Sequence, residues 1–293
     1  MTLITEIQNR KDYSTSPDML LLGEKEILSL IYHDIFDYPL TPLELIKWTA
    51  GESFKLKNIK DVKIGTQNGF LFINGKEGAT LKRIMRKRVS ERKIAQARKA
   101  AKILSILPTI RMIGISGSLA MNNASEESDI DFLIITKKDT LWTTRLLSVA
   151  LLKIFGVPRR KYGEKNEKDK LCLNMWLDEN DLVWDKKDRN AFTAHEISQI
   201  IPLVNKNEIY ENFLSKNNWI NNYWPNATGV KMGRKKDKIS RRRLIESIFE
   251  PLARRMQYWY MKEKITREVV TPTRAIFHPV DWGNLISSKL KLY

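Results

Sequence analysis

Gly117, Ser118, Asp129 and Asp131 are the residues of this chain whose types and spacing can do chemistry. Gly117-Ser118 directly follows an apolar run, residues 111–116, and lets the backbone turn sharply with amides and a hydroxyl exposed to phosphate oxygens. Ten residues later, Asp129 and Asp131 stand two apart at the start of a second apolar run, residues 130–136. On a strand that spacing projects both carboxylates from one face. Two carboxylates on one face can share divalent cations, and hard oxygen ligands suit Mg²⁺ or Mn²⁺. One metal holding a triphosphate while another activates an attacking hydroxyl is the two-metal arrangement of phosphoryl transfer.

An apolar strand, Gly117-Ser118, a ten-residue spacer and Asp129-x-Asp131 in a second strand together resemble the signature of the DNA polymerase β-like nucleotidyltransferase superfamily. Ser128 before the first Asp also fits its minimal members. The resemblance covers residues 100–180. It implies a catalytic pair Asp129 and Asp131, nucleotide contacts at Gly117, Ser118 and Ser128, and Mg²⁺ (or Mn²⁺) as cofactor. The implied donor is an NTP, with ATP expected. The implied reaction moves a nucleoside monophosphate from NTP to an acceptor hydroxyl and releases pyrophosphate. The acceptor could be RNA, a small molecule or a protein.

The superfamily usually has a third carboxylate on a neighbouring strand, here residues 171–177. Strict alternation sends Leu171, Leu173, Met175 and Leu177 one way, and Cys172, Asn174, Trp176 and Asp178 the other. The mid-strand position is the neutral Asn174. Its amide oxygen can bind Mg²⁺ but cannot accept a proton. Asp178 has the same parity at the strand end and is the alternative third metal ligand. The neutral position keeps open a second reading, an inactive nucleotidyltransferase fold that binds nucleic acid as a regulator. An antitoxin-like partner is a third.

Charge supports an anionic partner. The chain has 293 residues with 51 Lys plus Arg against 34 Asp plus Glu, a net charge of +17. A run of cations over residues 80–102 and another over 231–243 could track nucleic-acid phosphates, and Lys137, Lys138 and Arg145 could reach a triphosphate. Trp219, Tyr223 and Trp224 precede the second run, and Tyr258, Trp259 and Tyr260 follow it; at helical spacing such aromatics belong more often to a core than to a base-stacking surface. Cys172, the single cysteine, excludes an internal disulfide and a multi-cysteine zinc site and reads as a small core residue. His33 and His278 read as structural, and Glu196 as a capping-box residue behind Thr193. No signal-like start and no membrane-length apolar stretch is present, so a cytoplasmic protein without a membrane partner is expected.

The elements that must position these residues form an α+β fold. Residues 1–20 read as a flexible arm. Residues 21–78 read as a winged helix-turn-helix-like domain: a helical stripe over 24–37, a capping box at Thr41-Pro42-Leu43-Glu44 opening a helix to about Gly51, and a hairpin around Asn68-Gly69. Residues 79–190 read as the nucleotidyltransferase domain with a mixed sheet, its helices over 79–107 and 140–155. Residues 191–293 read as a helical C-terminal region, where Leu244, Ile248, Phe249, Leu252, Met256, Trp259 and Tyr260 make one apolar stripe kinked at Pro251.

Overall fold

The structure is a computed structural model that describes residues 22–56, 59, 62–161, 163–229, 244–264, 268–277 and 281–291. The arm 1–20, the basic connector 231–243 and His278 lie outside the described residues. Helix α1 (Glu24–Asp34) buries Leu28, Leu30 and Ile31. Helix α2 (Pro42–Lys47) opens on the expected capping box, with the Glu44 amide donating to Thr41 Oγ1 at 3.2 Å and the Thr41 amide to Glu44 Oε2 at 2.9 Å. It stops at Lys47, short of Gly51. Strands β1 (Ile64–Gln67) and β2 (Phe70–Ile73) pair antiparallel across Asn68 and Gly69. Both turn residues have positive φ, 53° and 76°, as an Asn-Gly hairpin turn requires. Residues 57, 58, 60 and 61 lie outside the described residues, and two helices and a hairpin are what the described part of 21–78 contains.

The main element is a mixed six-stranded sheet flanked by helices. Helix α3 (Gly78–Leu104) leads into β3 (Ile110–Ile115), the short α4 (Gly117–Ala120), β4 (Ile130–Thr136), α5 (Leu141–Ile154) and β5 (Leu171–Asp178). These match the sequence expectation to within a few residues. After 190 the expectation of a helical region is corrected. Helix α6 (Ala191–Ser198) is followed by β6 (Ile201–Asn205), then α7 (Ile209–Lys216) and α8 (Leu244–Met261), and β7 (Val269–Val270), β8 (Arg274–Ile276) and α9 (Trp282–Leu290) close the chain. The spatial order is β6-β3-β4-β5-β8-β7, with β4 and β5 parallel and the other neighbours antiparallel. These late strands span two to five residues, too few for period-two alternation to stand out, and Pro202 sits on an edge strand, where its missing donor costs nothing.

Each face of the sheet is covered. On one side Ile113, Ile115, Phe132, Ile134 and Trp176 pack with α3, α5 and α8. On the other, Met112, Leu133, Ile135, Met175 and Leu177 share one core with α1, α2, α6, α7 and α9. The described part of 21–78 thus packs onto the same core as the sheet. Strict alternation along β5 fails: the register runs from Asp131↔Cys172 to Leu133↔Met175, three residues against two. This bulge sends Leu171 and Leu173 to one core and Met175 and Leu177 to the other. No described helix is long and apolar enough to cross a membrane.

Candidate active site

The site forms where β3 ends beside the start of β4. The Ser116 amide donates to the Asp131 carbonyl at 3.0 Å, which ties the Gly117 turn to the carboxylate pair. Gly117 has φ +63°, and a Cβ there would meet Asp131 Oδ2 at 2.8 Å. Glycine is therefore required twice, by conformation and by the approach of the carboxylate. Ser118 is exposed at the turn, and its carbonyl accepts from Met121 and Asn123.

Helix α3 holds the spacer between turn and pair. Arg83 donates to the Asn122 carbonyl at 2.9 Å and Arg86 to Asn123 Oδ1 at 3.1 Å, while the Ser90 hydroxyl accepts from the Ala124 amide. Lys93 is fully buried. Its Nζ donates to the Glu126 carbonyl at 3.1 Å, the Ser128 carbonyl at 2.8 Å and Asp169 Oδ1 at 2.7 Å. Arg92 pairs with Glu126 and Asp169. Of the cations expected to track phosphates, Arg83 and Lys93 are buried, and these two with Arg86 and Arg92 brace the site loop. Ser128 closes a local turn, its Oγ donating to the Ser125 carbonyl at 2.9 Å.

Asp129 Oδ2 accepts from Arg160 Nη1 at 2.8 Å, and Arg160 also pairs with Glu167. Asp131 Oδ1 accepts from Asn174 Nδ2 at 2.8 Å. Burial, then the charge of Asp129, pushes the Asp131 carboxyl up to about 8. Ligand atoms of Asp129, Asp131 and Cys172 lie within 4.8 Å of one another. Burial and the two carboxylates push the Cys172 thiol far up, so the free thiol stays protonated at neutral pH. Asn174 is 8% exposed, and its Oδ1 is buried without a hydrogen-bond partner. Two carboxylates with an unmatched amide oxygen beside them make an oxygen donor set that fits Mg²⁺ or Mn²⁺.

Asp178, the alternative third ligand, is not part of this cluster. Because β4 and β5 are parallel, Asp178 lies opposite Thr136 while Cys172 lies opposite Asp131. Five residues of strand separate the two ends, roughly 16 Å at ~3.3 Å per residue. There Asp178 accepts from the Asp139 amide at 2.7 Å and the Asn180 amide at 2.9 Å, closing the turn after β4. The same strand direction carries Lys137 and Lys138 away from the pair. Arg145 is committed elsewhere, donating to Gln257 Oε1 at 2.6 Å with its guanidinium over the Phe277 ring.

Glu196 is the residue that sequence reading missed. The α6 N-cap is Asn190, which accepts from the Thr193 amide at 2.9 Å, so Thr193 and Glu196 form no capping box. Glu196 instead receives hydrogen bonds from Gln199 at 2.5 Å and from the Gly117 amide, and its charge reaches Asp131. Burial raises its carboxyl to about 7. No local motif marks it, because Gly117, whose amide it accepts from, lies 79 residues earlier in the chain.

No curated protein matches this chain at a significant level. Residues 97–212, which hold the glycine turn, the carboxylate pair and Glu196, match the family model of the nucleotidyltransferase domain, consistent with the polymerase β-like nucleotidyltransferase superfamily.

Proposed function

We propose that this chain transfers a nucleoside monophosphate from an NTP, ATP in the first instance, to an acceptor hydroxyl. The hydroxyl oxygen forms a bond to the α-phosphorus, the bond from that phosphorus to the bridging oxygen of the β-phosphate breaks, and pyrophosphate leaves. The observation that carries the reading is the packing of the Gly117 turn directly against Asp131, which sets the backbone of a glycine turn beside a carboxylate pair. Asp129 and Asp131, with Asn174 as third oxygen donor, are the residues that would hold Mg²⁺ or Mn²⁺. When bound, the metal neutralises triphosphate charge and lowers the pKa of the attacking hydroxyl. Gly117 and Ser118 contact the phosphates. Arg160, seated against Asp129, supplies a cation beside the leaving group. Ser128 acts through its turn, setting the start of β4. The domain limits follow the same reading, with the transferase unit drawing its edge strand β6 from beyond residue 190.

The acceptor class is read from label transfer. Incubating the protein with each α-labelled NTP, Mg²⁺ and a total cell extract should label one of RNA, small molecules or protein. Asp129→Asn and Asp131→Asn should each abolish labelling with unchanged unfolding midpoints. Labelling that persists in both variants overturns the site. Absence of labelling from wild-type protein in every fraction favours the regulator reading, to which the neutral Asn174 and the Arg160–Asp129 pair lend support.

A further inference from the structure

The chain between α5 and β5 is tied down at both ends and carries a cation onto the carboxylate pair. At its start the Arg160 amide donates to the Leu171 carbonyl at 2.9 Å, and the Leu171 amide donates to the Pro158 carbonyl at 3.0 Å. At its end the Ile130 amide donates to the Lys170 carbonyl at 2.9 Å, while Lys93 holds Asp169. Between these anchors two acids share the Arg160 guanidinium. Its Nη1 donates to Asp129 Oδ2 at 2.8 Å, and its Nη2 pairs with Glu167. The Asp129 side chain is 11% exposed, whereas that of Arg160 is 36% exposed and leaves room for its tip to move. Asp131 is held by neutral groups instead, Oδ1 accepting from Asn174 and Oδ2 lying against Gly117. Within the pair, Asp129 is thus the carboxylate that a side-chain cation neutralises.

We propose that Arg160 controls metal loading of the pair: it holds Asp129 until a triphosphate arrives, then moves to the phosphates and leaves the carboxylate to the divalent cation. This rests on the reading of the site as a nucleotidyl-transfer centre. A guanidinium and a divalent cation on one carboxylate repel each other, so each weakens the other's hold on Asp129. Phosphate oxygens can draw Arg160 away, because the planar fork of a guanidinium matches phosphate as well as it matches carboxylate. The exchange needs only the tip of the side chain, since the Arg160 backbone is anchored on Leu171. Glu167 holds the other nitrogen, which keeps the cation beside the site when it leaves Asp129. Nucleotide and metal then favour each other's binding through Arg160 as well as by direct contact.

The test is calorimetric titration of the full chain with Mn²⁺, without nucleotide and with saturating α,β-methylene ATP, which cannot transfer its nucleotidyl group. Wild type is compared with Arg160→Gln and Arg160→Lys. Without nucleotide, Arg160→Gln should bind Mn²⁺ about 10-fold more tightly than wild type, a factor ordinary for coupling between two sites. With the analogue bound, the two proteins should bind Mn²⁺ equally, so the gain that nucleotide brings shrinks by the same factor. Arg160→Lys keeps a cation and should stay nearer to wild type. Loss of a merely structural brace would weaken Mn²⁺ binding in both states rather than strengthen it in one. Added Mn²⁺ should also raise the unfolding midpoint of Arg160→Gln more than that of wild type. Equal or weaker Mn²⁺ binding by nucleotide-free Arg160→Gln overturns the proposal and leaves the transferase reading standing. No Mn²⁺ binding by either protein, with or without the analogue, overturns both.

Discussion

Replacing His195 by Phe should make the stability of this protein markedly less sensitive to acid. His33 and His195 are buried where α1 meets α6, their Nε2 atoms 3.2 Å apart. His33 Nδ1 lies 2.7 Å from the Ser29 carbonyl and must donate to it, so the single proton between the two Nε2 atoms belongs to His195. A further proton on His33 Nε2 would set two N–H groups against each other, and one on His195 Nδ1 would place a charge inside an aromatic shell of Tyr32, Trp48 and Trp224, with His195 stacked on Trp48 at 4.0 Å. Burial lowers His33 from 6.5 to about 4, and burial, then His33 and Lys47, lowers His195 further. Between those values the unfolded chain binds protons that the folded chain refuses, so each ring subtracts stability as pH falls below about 6.5 and nothing above it. For His33 the full penalty is about 3.4 kcal/mol; at pH 5 a ring that stays neutral in the folded chain costs at most about 2 kcal/mol, the ceiling set by the unfolded value of 6.5.

The wild-type curve alone is composite. Burial raises the carboxyls of Asp131, Asp178 and Glu196 to about 8, 7 and 7, and these groups add stability over the same fall in pH. The diagnostic quantity is therefore a difference. Guanidinium unfolding followed by tryptophan fluorescence, for wild type and His195→Phe at about pH 7.5 and about pH 5, should show the variant gaining about 2 kcal/mol on wild type across the interval. Phe keeps the stack on Trp48, so its cost in packing is the same at both pH values. An unchanged difference between the two proteins would refute the buried neutral pair.

Lys93→Met should destabilise the fold by about 3 kcal/mol, because it removes the fully buried cation that holds Asp169 and the Glu126 and Ser128 carbonyls together, as a shift in urea midpoint would show. Glu196→Ala should weaken NTP binding about tenfold by calorimetry through the loss of an acceptor for the Gly117 amide, while Glu196→Gln, which retains an acceptor oxygen, should restore most of it. Equal losses in both variants would make the charge, not the hydrogen bond, the active feature. If α3 still grips RNA, it does so through exposed Lys87, Arg88 and Arg98. Charge reversal at those three should reduce the log–log salt slope of RNA binding by about 2, and an unchanged slope would leave α3 with a purely internal role.

The juxtaposition of turn and acids in the candidate site was legible because its parts are close in sequence: a glycine turn and two acids in alternating register need only the strand period to come together. What failed to show was everything that depends on partners from afar. Alternation did place Asn174 beside the pair, but the bulge that follows it, which no residue pattern announces, misled the face assignment of Met175 and Leu177. The same bulge puts Asp178 opposite Thr136, an odd five residues from Asp131, so it lies on the other face as well as at the far end of the pair. Glu196 looked like a capping acid because Thr193 stands three residues before it, while the actual cap, Asn190, starts the helix three residues earlier.

Amphipathicity raises a related problem on α3 and α8. A helical wheel tells which residues share a face but not which face meets the protein, and here both helices reverse the ordinary reading. On α3, Arg83 and Lys93 turn inward because the loop between Ser118 and Asp129 presents carbonyls and acids that have no strand to satisfy them. Leu81 and Met85 stay exposed at 62% and 68%. On α8, the uncapped start of α5 draws Glu250 inward, and the apolar stripe follows outward by geometry. In each case the unsatisfied backbone of a neighbouring element decides the orientation. A buried amide or carbonyl without a partner costs roughly 1–3 kcal/mol, comparable to burying one large apolar side chain, so two or three such groups outweigh the pull of a single hydrophobic residue. The cations of this chain therefore divide into two groups: those spent on holding the site loop, and those, such as Lys87, Arg88 and Arg98, left exposed.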